Sequence, residues 1–237
     1  QTCNLSCTHC LVSSSPQGER GPAAELHLSV IDQAWELGAR RFYFTGGEPF
    51  AREDVFDLIR RVTDDKRSEL VILTNATLFE GARLETLKGL DRERLKFQVS
   101  LDGATPAVND PIRGGGVFDK ASAGLKTLSA LGFETSLTAV VTRANLKDLE
   151  GLPALAKRLG AKSVHLMWLH KRGRVLETDG EAAFPSVPEL LALARKVRRA
   201  SAELGVAFDN WESLKQRVNG RPGVKYDLGN PCWESLC

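Results

Sequence analysis

The chain has 237 residues, 42% of them hydrophobic and 26% charged, with 32 Lys+Arg against 30 Asp+Glu for a formal net charge of +2. That composition excludes a disordered chain and provides for one large or two small domains. It also argues against nucleic acid and membrane as partners. The basic clusters Arg40-Arg41, Arg60-Arg61 and residues 196–199 read as solvated helix ends or faces, and no apolar run approaches the roughly 20 residues that span a bilayer. With no secretory pattern at the N-terminus, a cytoplasmic location is expected.

In chain order, the first feature is Cys3-Asn4-Leu5-Ser6-Cys7-Thr8-His9-Cys10, three thiols on one short loop. The other two cysteines, Cys232 and Cys237, stand at the far end with none between, a metal or redox pattern in a reducing compartment and not a disulfide framework. Leu28, Ile31 and Trp35 then give a helical three-four spacing stopped by Gly38. A short strand over residues 42–45 runs into Gly46-Gly47-Glu48-Pro49, which by itself reads as a tight glycine turn before a helix opened by Pro49, Glu53 and Asp54. Further β-branched or apolar runs at residues 70–74, 97–101, 135–141 and 163–169 read as strands buried on both faces. Between them, Phe118, Ala121, Leu125 and Leu128 precede a stop at Gly132, and Asn145 with Asp148 reads as a cap ahead of Leu149, Leu152, Leu155 and Leu159. A last long helix is expected over residues 187–204.

Successive strands begin 27 to 38 residues apart, the length of a strand, a crossover helix and two loops, so they are expected to be parallel neighbours. This is an α/β pattern. It fits an open doubly wound sheet or a closed or partial barrel equally, and in each case ligands gather at the carboxyl ends of the strands. After Gly205 the repeat breaks. Residues 209–237 read as irregular, with turn signals at Gly220, Pro222, Gly223, Gly229 and Pro231, so the chain divides into residues 1–205 and 206–237.

Two kinds of metal centre suit the cysteine loop. A structural zinc wants four protein ligands, and His9 is the available fourth, although adjacent His9 and Cys10 would be strained in sharing one ion. A four-iron cluster takes one thiolate per iron, so three cysteines leave one iron open to bind something else.

The loop resembles the hallmark of the radical S-adenosylmethionine (SAM) enzymes, including Thr2 before it and Asn4-Leu5 within it. Four later stretches are similar to that family's motifs: Gly46-Gly47-Glu48-Pro49; Leu73-Thr74-Asn75, with Ala76 where the family carries glycine; Val99-Ser100-Leu101-Asp102-Gly103 followed by Asn109 and Arg113-Gly114; and Val140-Val141-Thr142-Arg143. The resemblance covers about residues 2 to 175. It implies a partial (β/α)6 barrel of parallel strands, five of which can be counted. The missing first strand is expected just ahead of the cysteine loop, so that the chain starts inside the native protein.

The resemblance also implies that Cys3, Cys7 and Cys10 hold a [4Fe-4S] cluster whose fourth iron is chelated by SAM. Around SAM it sets Gly46, Gly47 and Glu48 toward the ammonium group, Ser100 with Arg113 as the weaker candidate toward the carboxylate, and Thr74, Asn75, Asp102 and Val141 as further cofactor contacts, with His9 orienting. Apart from the resemblance, Ser100 reads as a sheet residue, Asp102 as a turn or cap and Arg113 as a surface cation. The implied activity is reductive cleavage of SAM to a 5′-deoxyadenosyl radical that abstracts hydrogen from a peptide. A cofactor or porphyrin precursor is the alternative substrate, and a non-catalytic zinc or electron-transfer module the alternative class.

Residues 230–237 resemble the opening of the auxiliary-cluster extension called SPASM or twitch, with Cys232 the better ligand of its two cysteines and any auxiliary iron-sulfur cluster completed by residues beyond 237. Expected partners are a peptide or small-molecule substrate and an electron donor such as a flavodoxin or ferredoxin. Trp168, His170 and Gly173-Arg174, after the last strand, are expected to face the substrate opening, with His170 a substrate contact, while His165 reads as a packed core histidine.

Overall fold

The computed structural model describes residues 1–178 and 183–218. Helix α1 (Ala24–Glu36) leads into strand β1 (Arg41–Phe44), followed by α2 (Val55–Thr63), β2 (Glu69–Thr74), α3 (Gly81–Lys88) and β3 (Leu95–Ser100). Two helices, α4 (Pro106–Arg113) and α5 (Val117–Ala130), precede β4 (Glu134–Val141), and α6 (Leu152–Leu159) precedes β5 (Ser163–Trp168). Then come α7 (Val175–Thr178), α8 (Val187–Leu204), β6 (Ala207–Phe208) and α9 (Trp211–Val218). The strands form one sheet in chain order, every neighbouring pair parallel.

Side chains on strands alternate between two faces. Leu70, Ile72, Leu95, Phe97, Val99, Leu137 and Ala139 are buried in the core, where they meet the outer helices through residues such as Ile59, Leu87 and Leu125. An aromatic cluster ties the layers together, with the Phe97 ring 6.2 Å from Phe50 and 5.1 Å from Phe133. The opposite face of β2 and β3 is only half-buried. That asymmetry leaves room for a ligand on the inner face of the sheet.

The five strands read from the sequence are present within two residues at each end, and the long last helix spans the expected residues. Its start is fixed by a capping box: Ser186 and Glu189 each bond the other's backbone N–H. Two readings are corrected. Residues 207–218, taken as irregular from Asp209 on, contain β6 and α9, and β6 is the sixth strand of the sheet. It lies at the opposite end of the chain from the strand expected ahead of the cysteine loop. A two-residue strand is too short to show periodicity. Asn145 does not cap a helix with its side chain. Its Nδ2 donates to the carbonyls of Asp102 and Val140, both at 2.9 Å, and its Oδ1 accepts from Thr142 N at 2.8 Å. It therefore pins the end of β4 to the loop after β3, and α6 begins only at Leu152 after a short 3₁₀ turn.

Candidate functional site

The cysteine loop folds back on itself: Cys3 N donates to Ser15 O at 3.0 Å and Cys10 N to Cys7 O at 3.2 Å. Two backbone N–H groups point at sulfur, Leu5 N at 3.4 Å from Cys3 Sγ and Ser14 N at 3.3 Å from Cys10 Sγ. Donors aimed at sulfur favour the thiolate, the form that binds metal. Burial acts against them, raising the Cys3 thiol to about 11 and the Cys7 thiol above its ordinary value. Such thiols stay protonated at neutral pH until a metal replaces the proton. Among the described residues no three His, Cys, Asp or Glu side chains converge on one ion. Three thiols on one loop can each give a thiolate to a separate iron of a four-iron cluster and leave its fourth iron open.

Three contacts seat the loop on the sheet. A Cβ on Gly47 would stand 1.8 Å from Thr2 O, so only glycine lets the backbone after β1 pass beside the loop, and Glu48 N donates to Thr2 O at 3.3 Å. Asn75 Nδ2 donates to Asn4 Oδ1, while Asn4 Nδ2 donates to Thr77 Oγ1, each at 2.8 Å. Thr8 N donates to Ile112 O of α4 at 2.9 Å. The glycine pair, read from the sequence as backbone making room for a ligand, thus also makes room for the cysteine loop.

Beside the thiols opens a cleft of about 890 Å³, measured out to its mouth. Its walls come from the carboxyl ends of the strands: Thr45 to Glu48 after β1, Leu73 to Asn75 at β2, Ser100 at β3, Val140 at β4 and Met167 to His170 at β5. Most of the expected cofactor residues therefore meet in one place, on the elements the α/β pattern selects. Gly46, in the same wall, adopts φ +132°.

Glu48 is buried at 4% exposure. Its Oε1 accepts from Thr74 Oγ1 at 2.7 Å and Phe50 N at 3.1 Å, and its Oε2 accepts from Asn75 N at 2.8 Å. Burial pushes its carboxyl above the ordinary range in spite of these three donors and the nearby Arg113. Thr74 and Asn75 thus serve the site by holding Glu48 and Asn4.

Asp102 departs further from expectation. It is fully buried, does not line the cleft, and is paired on one side with His9 Nε2 and on the other with Arg113, whose Nε stands 2.7 Å away as an ion pair out of line for a hydrogen bond. Its Oδ1 accepts from Val140 N at 2.8 Å, and its own N–H donates to Asn109 Oδ1 at 2.9 Å. Burial alone would raise its carboxyl, but Arg113 and His9 hold it well below the usual range. His9 and Arg113 line the cleft, with Asp102 behind them.

Two more readings change. Val140, not Val141, lines the cleft, because alternate strand residues face opposite sides, and Val141 points into the core. Arg174 turns to the cysteine loop and does not line the cleft, whereas Trp168 and His170 do. His165 is a core residue as read, 3% exposed and bonded to Asp209 and Asn210. Asn4, Asn109 and Asn145 were missed as site residues. Asn4 and Asn109 stand inside the quoted motifs and Asn145 beside one, but their partners lie up to 73 residues away. Cys232 and Cys237 lie outside the described residues.

Fold and site define a parallel α/β scaffold that presents three clustered thiols and a cleft at its strand ends. The sequence model of the Radical SAM superfamily matches residues 1–156, and the chain belongs to that superfamily, whose cofactors are a [4Fe-4S] cluster and SAM. It is 35% identical over 181 residues to an AdoMet-dependent heme synthase of Methanosarcina barkeri, covering 75% of this chain and 50% of that protein. It is 33% identical over 216 residues to the PqqA peptide cyclase of Gluconobacter oxydans, covering 87% and 57%. The chain thus spans about half the length of these relatives. Among solved structures, Streptococcus suis SuiB bound to its precursor peptide SuiA superposes with a TM-score of 0.73 at 18% identity, over 87% of this chain and 45% of SuiB. At that identity the likeness shows the fold, a partial radical SAM barrel. Among the described residues no helix is long and apolar enough to cross a membrane.

Proposed function

We propose that this chain is the catalytic core of a radical SAM enzyme that modifies a peptide, with Cys3, Cys7 and Cys10 as cluster ligands. When bound, the cluster and SAM supply a 5′-deoxyadenosyl radical by one-electron reductive cleavage, and that radical takes hydrogen from a substrate carbon. The chain's own residues orient and enclose. Glu48 Oε2, which accepts one N–H where Oε1 accepts two donors, keeps a lone pair for the SAM ammonium, and that cation stabilises a carboxylate that burial disfavours. The Ser100 hydroxyl and the Arg113 guanidinium, both in the cleft wall, receive the SAM carboxylate. Val140 gives an apolar wall for the adenine, and His9 orients the ligand from beside the cluster. Leu11, Val12, Trp168 and Leu169 keep water from the reacting atoms.

One observation carries this reading. The three thiols, Glu48, Ser100 and Arg113 come from separate elements and line a single cleft. Preference for a peptide is supported by the 33% identity to a peptide cyclase over 87% of the chain. The 35% identity to a heme synthase favours the second reading, a porphyrin or cofactor precursor. We further propose that residues 206–237 begin a SPASM- or twitch-like extension that docks on the core through β6, with Cys232 ligating an auxiliary cluster. A flavodoxin- or ferredoxin-type donor supplies the electron, and the cytoplasm keeps the thiols reduced.

The test is anaerobic reconstitution with iron and sulfide, then dithionite and SAM, with 5′-deoxyadenosine as the readout. Wild type is expected to produce it and Cys7→Ala to lose it by more than a hundredfold, since one missing ligand abolishes the cluster. Equal product from both would sink the cluster assignment. Acceleration by a precursor peptide encoded beside the gene, but not by porphyrin precursors, would select the peptide reading.

A further inference from the structure

The cysteine loop is held from below by Asp102 and from the β2 side by Asn75, both within the stretch the superfamily model matches. Its other flank is covered by residues beyond that stretch. Arg174 Nη1 donates to Cys7 O at 2.5 Å, Nη2 to Ser14 O at 2.8 Å, and the Arg174 backbone N–H to Cys10 O at 3.0 Å. One residue therefore binds three carbonyls spread across the loop, two of them belonging to cysteines. The preceding residue shapes the approach. Gly173 has φ +63°, and a Cβ there would stand 2.3 Å from Cys10 O and 2.6 Å from Leu11 O.

The same segment carries the cleft wall. Met167 to His170, at the end of β5, line the cleft just ahead of Gly173-Arg174. The eight residues from Met167, at the end of β5, to Arg174 thus touch the cofactor cleft at one end and the cluster loop at the other.

We propose that Arg174 is a positioning residue for the cluster, latching the cysteine loop to the β5 segment that walls the cleft. The inference rests on the cluster assignment made above. A guanidinium spanning two carbonyls supplies a planar fork that lysine lacks, so lysine at this position reaches only one of them. The loop backbone is then free to open around Cys7 and Cys10. The cluster becomes easier to lose, and its surroundings less uniform, while the remainder of the sheet is untouched.

The test compares the full-length wild type, Arg174→Gln and Arg174→Lys after identical reconstitution. Three quantities are measured: cluster loss to a chelator followed near 400 nm, the electron paramagnetic resonance spectrum of the reduced cluster with and without SAM, and the melting temperature of the apoprotein. The glutamine variant is expected to lose its cluster at least about tenfold faster, given the worth of hydrogen bonds to a charged group. Its spectrum should broaden, its apoprotein should melt as wild type does, and lysine should fall between. Wild-type retention and spectrum in both variants would overturn the inference. So would faster loss matched by a lower apoprotein melting temperature, which assigns Arg174 to general stability. If the glutamine variant does not fold, the lysine variant decides by the same readouts. A wild type that takes up no cluster overturns the cluster assignment itself, and this inference with it.

Discussion

At the residue scale the site depends on a buried charge balance. Asp102 stands between His9 and Arg113, and Arg113 is itself only 8% exposed. Replacing Asp102 by Asn leaves the guanidinium buried without its counter-charge, which costs about 3–5 kcal/mol. Urea unfolding of the apoprotein at pH 7 should show that loss. The sign of the pH dependence follows from the depressed carboxyl. A group whose folded value lies below its unfolded one stabilises the fold above the unfolded value, about 3.9, and loses that contribution as pH falls through the folded one. The gap between wild type and Asp102→Asn should therefore narrow below about pH 4. A constant gap from pH 7 to pH 3 would show that the carboxylate's charge is not what stabilises. The cysteines, Glu48 and Ser100 were legible in the sequence because they sit in short contiguous motifs. The role of Asp102 was not, since its partner His9 is 93 residues away and on another element. Val140 was missed in favour of Val141 because both neighbours are apolar, and only the register of β4 against β3 decides which faces the cleft.

At the scale of elements, helix α5 fixes the turn that carries Thr74 and Asn75. Gly124 is in mid-helix, where alanine would ordinarily be favoured by about 1 kcal/mol. Here a Cβ would stand 2.0 Å from Ala76 O, so the helix can approach the turn only as glycine. Ala76 itself has φ +56°, a left-handed conformation costly for any residue with a side chain and tolerated because the packed helix holds it. That is the position where the resemblance expects glycine, so the departure in sequence leaves the turn's conformation intact. Gly124→Ala should destabilise the apoprotein by about 3 kcal/mol, opposite in sign to helix propensity. Because Glu48 is bonded to Thr74 and Asn75, the variant should also bind SAM more weakly. A more stable variant would show that the turn gives way at no cost. Strands and long helices were legible because burial on the sheet imposes its own periodicity. A glycine that allows close approach looks, in the sequence, like any weak point in a helix.

At the scale of the whole molecule, the sheet is an open parallel array whose last strand lies across the division drawn at Gly205. β6 pairs with the start of β5 through two residues, but the side chains after it reach further. Asp209 Oδ1 is 2.7 Å from His165 Nδ1, its Oδ2 accepts from Ser136 and Ser163 at 3.1 and 3.0 Å, and Asn210 Nδ2 donates to Leu166 O at 2.7 Å. Three strands are thereby tied at one edge, and the buried His165 has its polar atoms satisfied there. The sequence marked His165 as core. It could not show what satisfies that core position, because Asp209 and Asn210 sit in a stretch without periodicity. Deleting residues 206–237 should leave His165 buried without Asp209 or Asn210, at a cost of about 1–3 kcal/mol for each polar atom left unpaired. A chain ending at residue 218 keeps all of these bonds. The shorter chain is expected to melt several degrees below the longer one, and to hold SAM less well, since β5 carries Met167 and Trp168 into the cleft wall. Equal melting temperatures would mean that the core is complete at Gly205 and that β6 only rests on it.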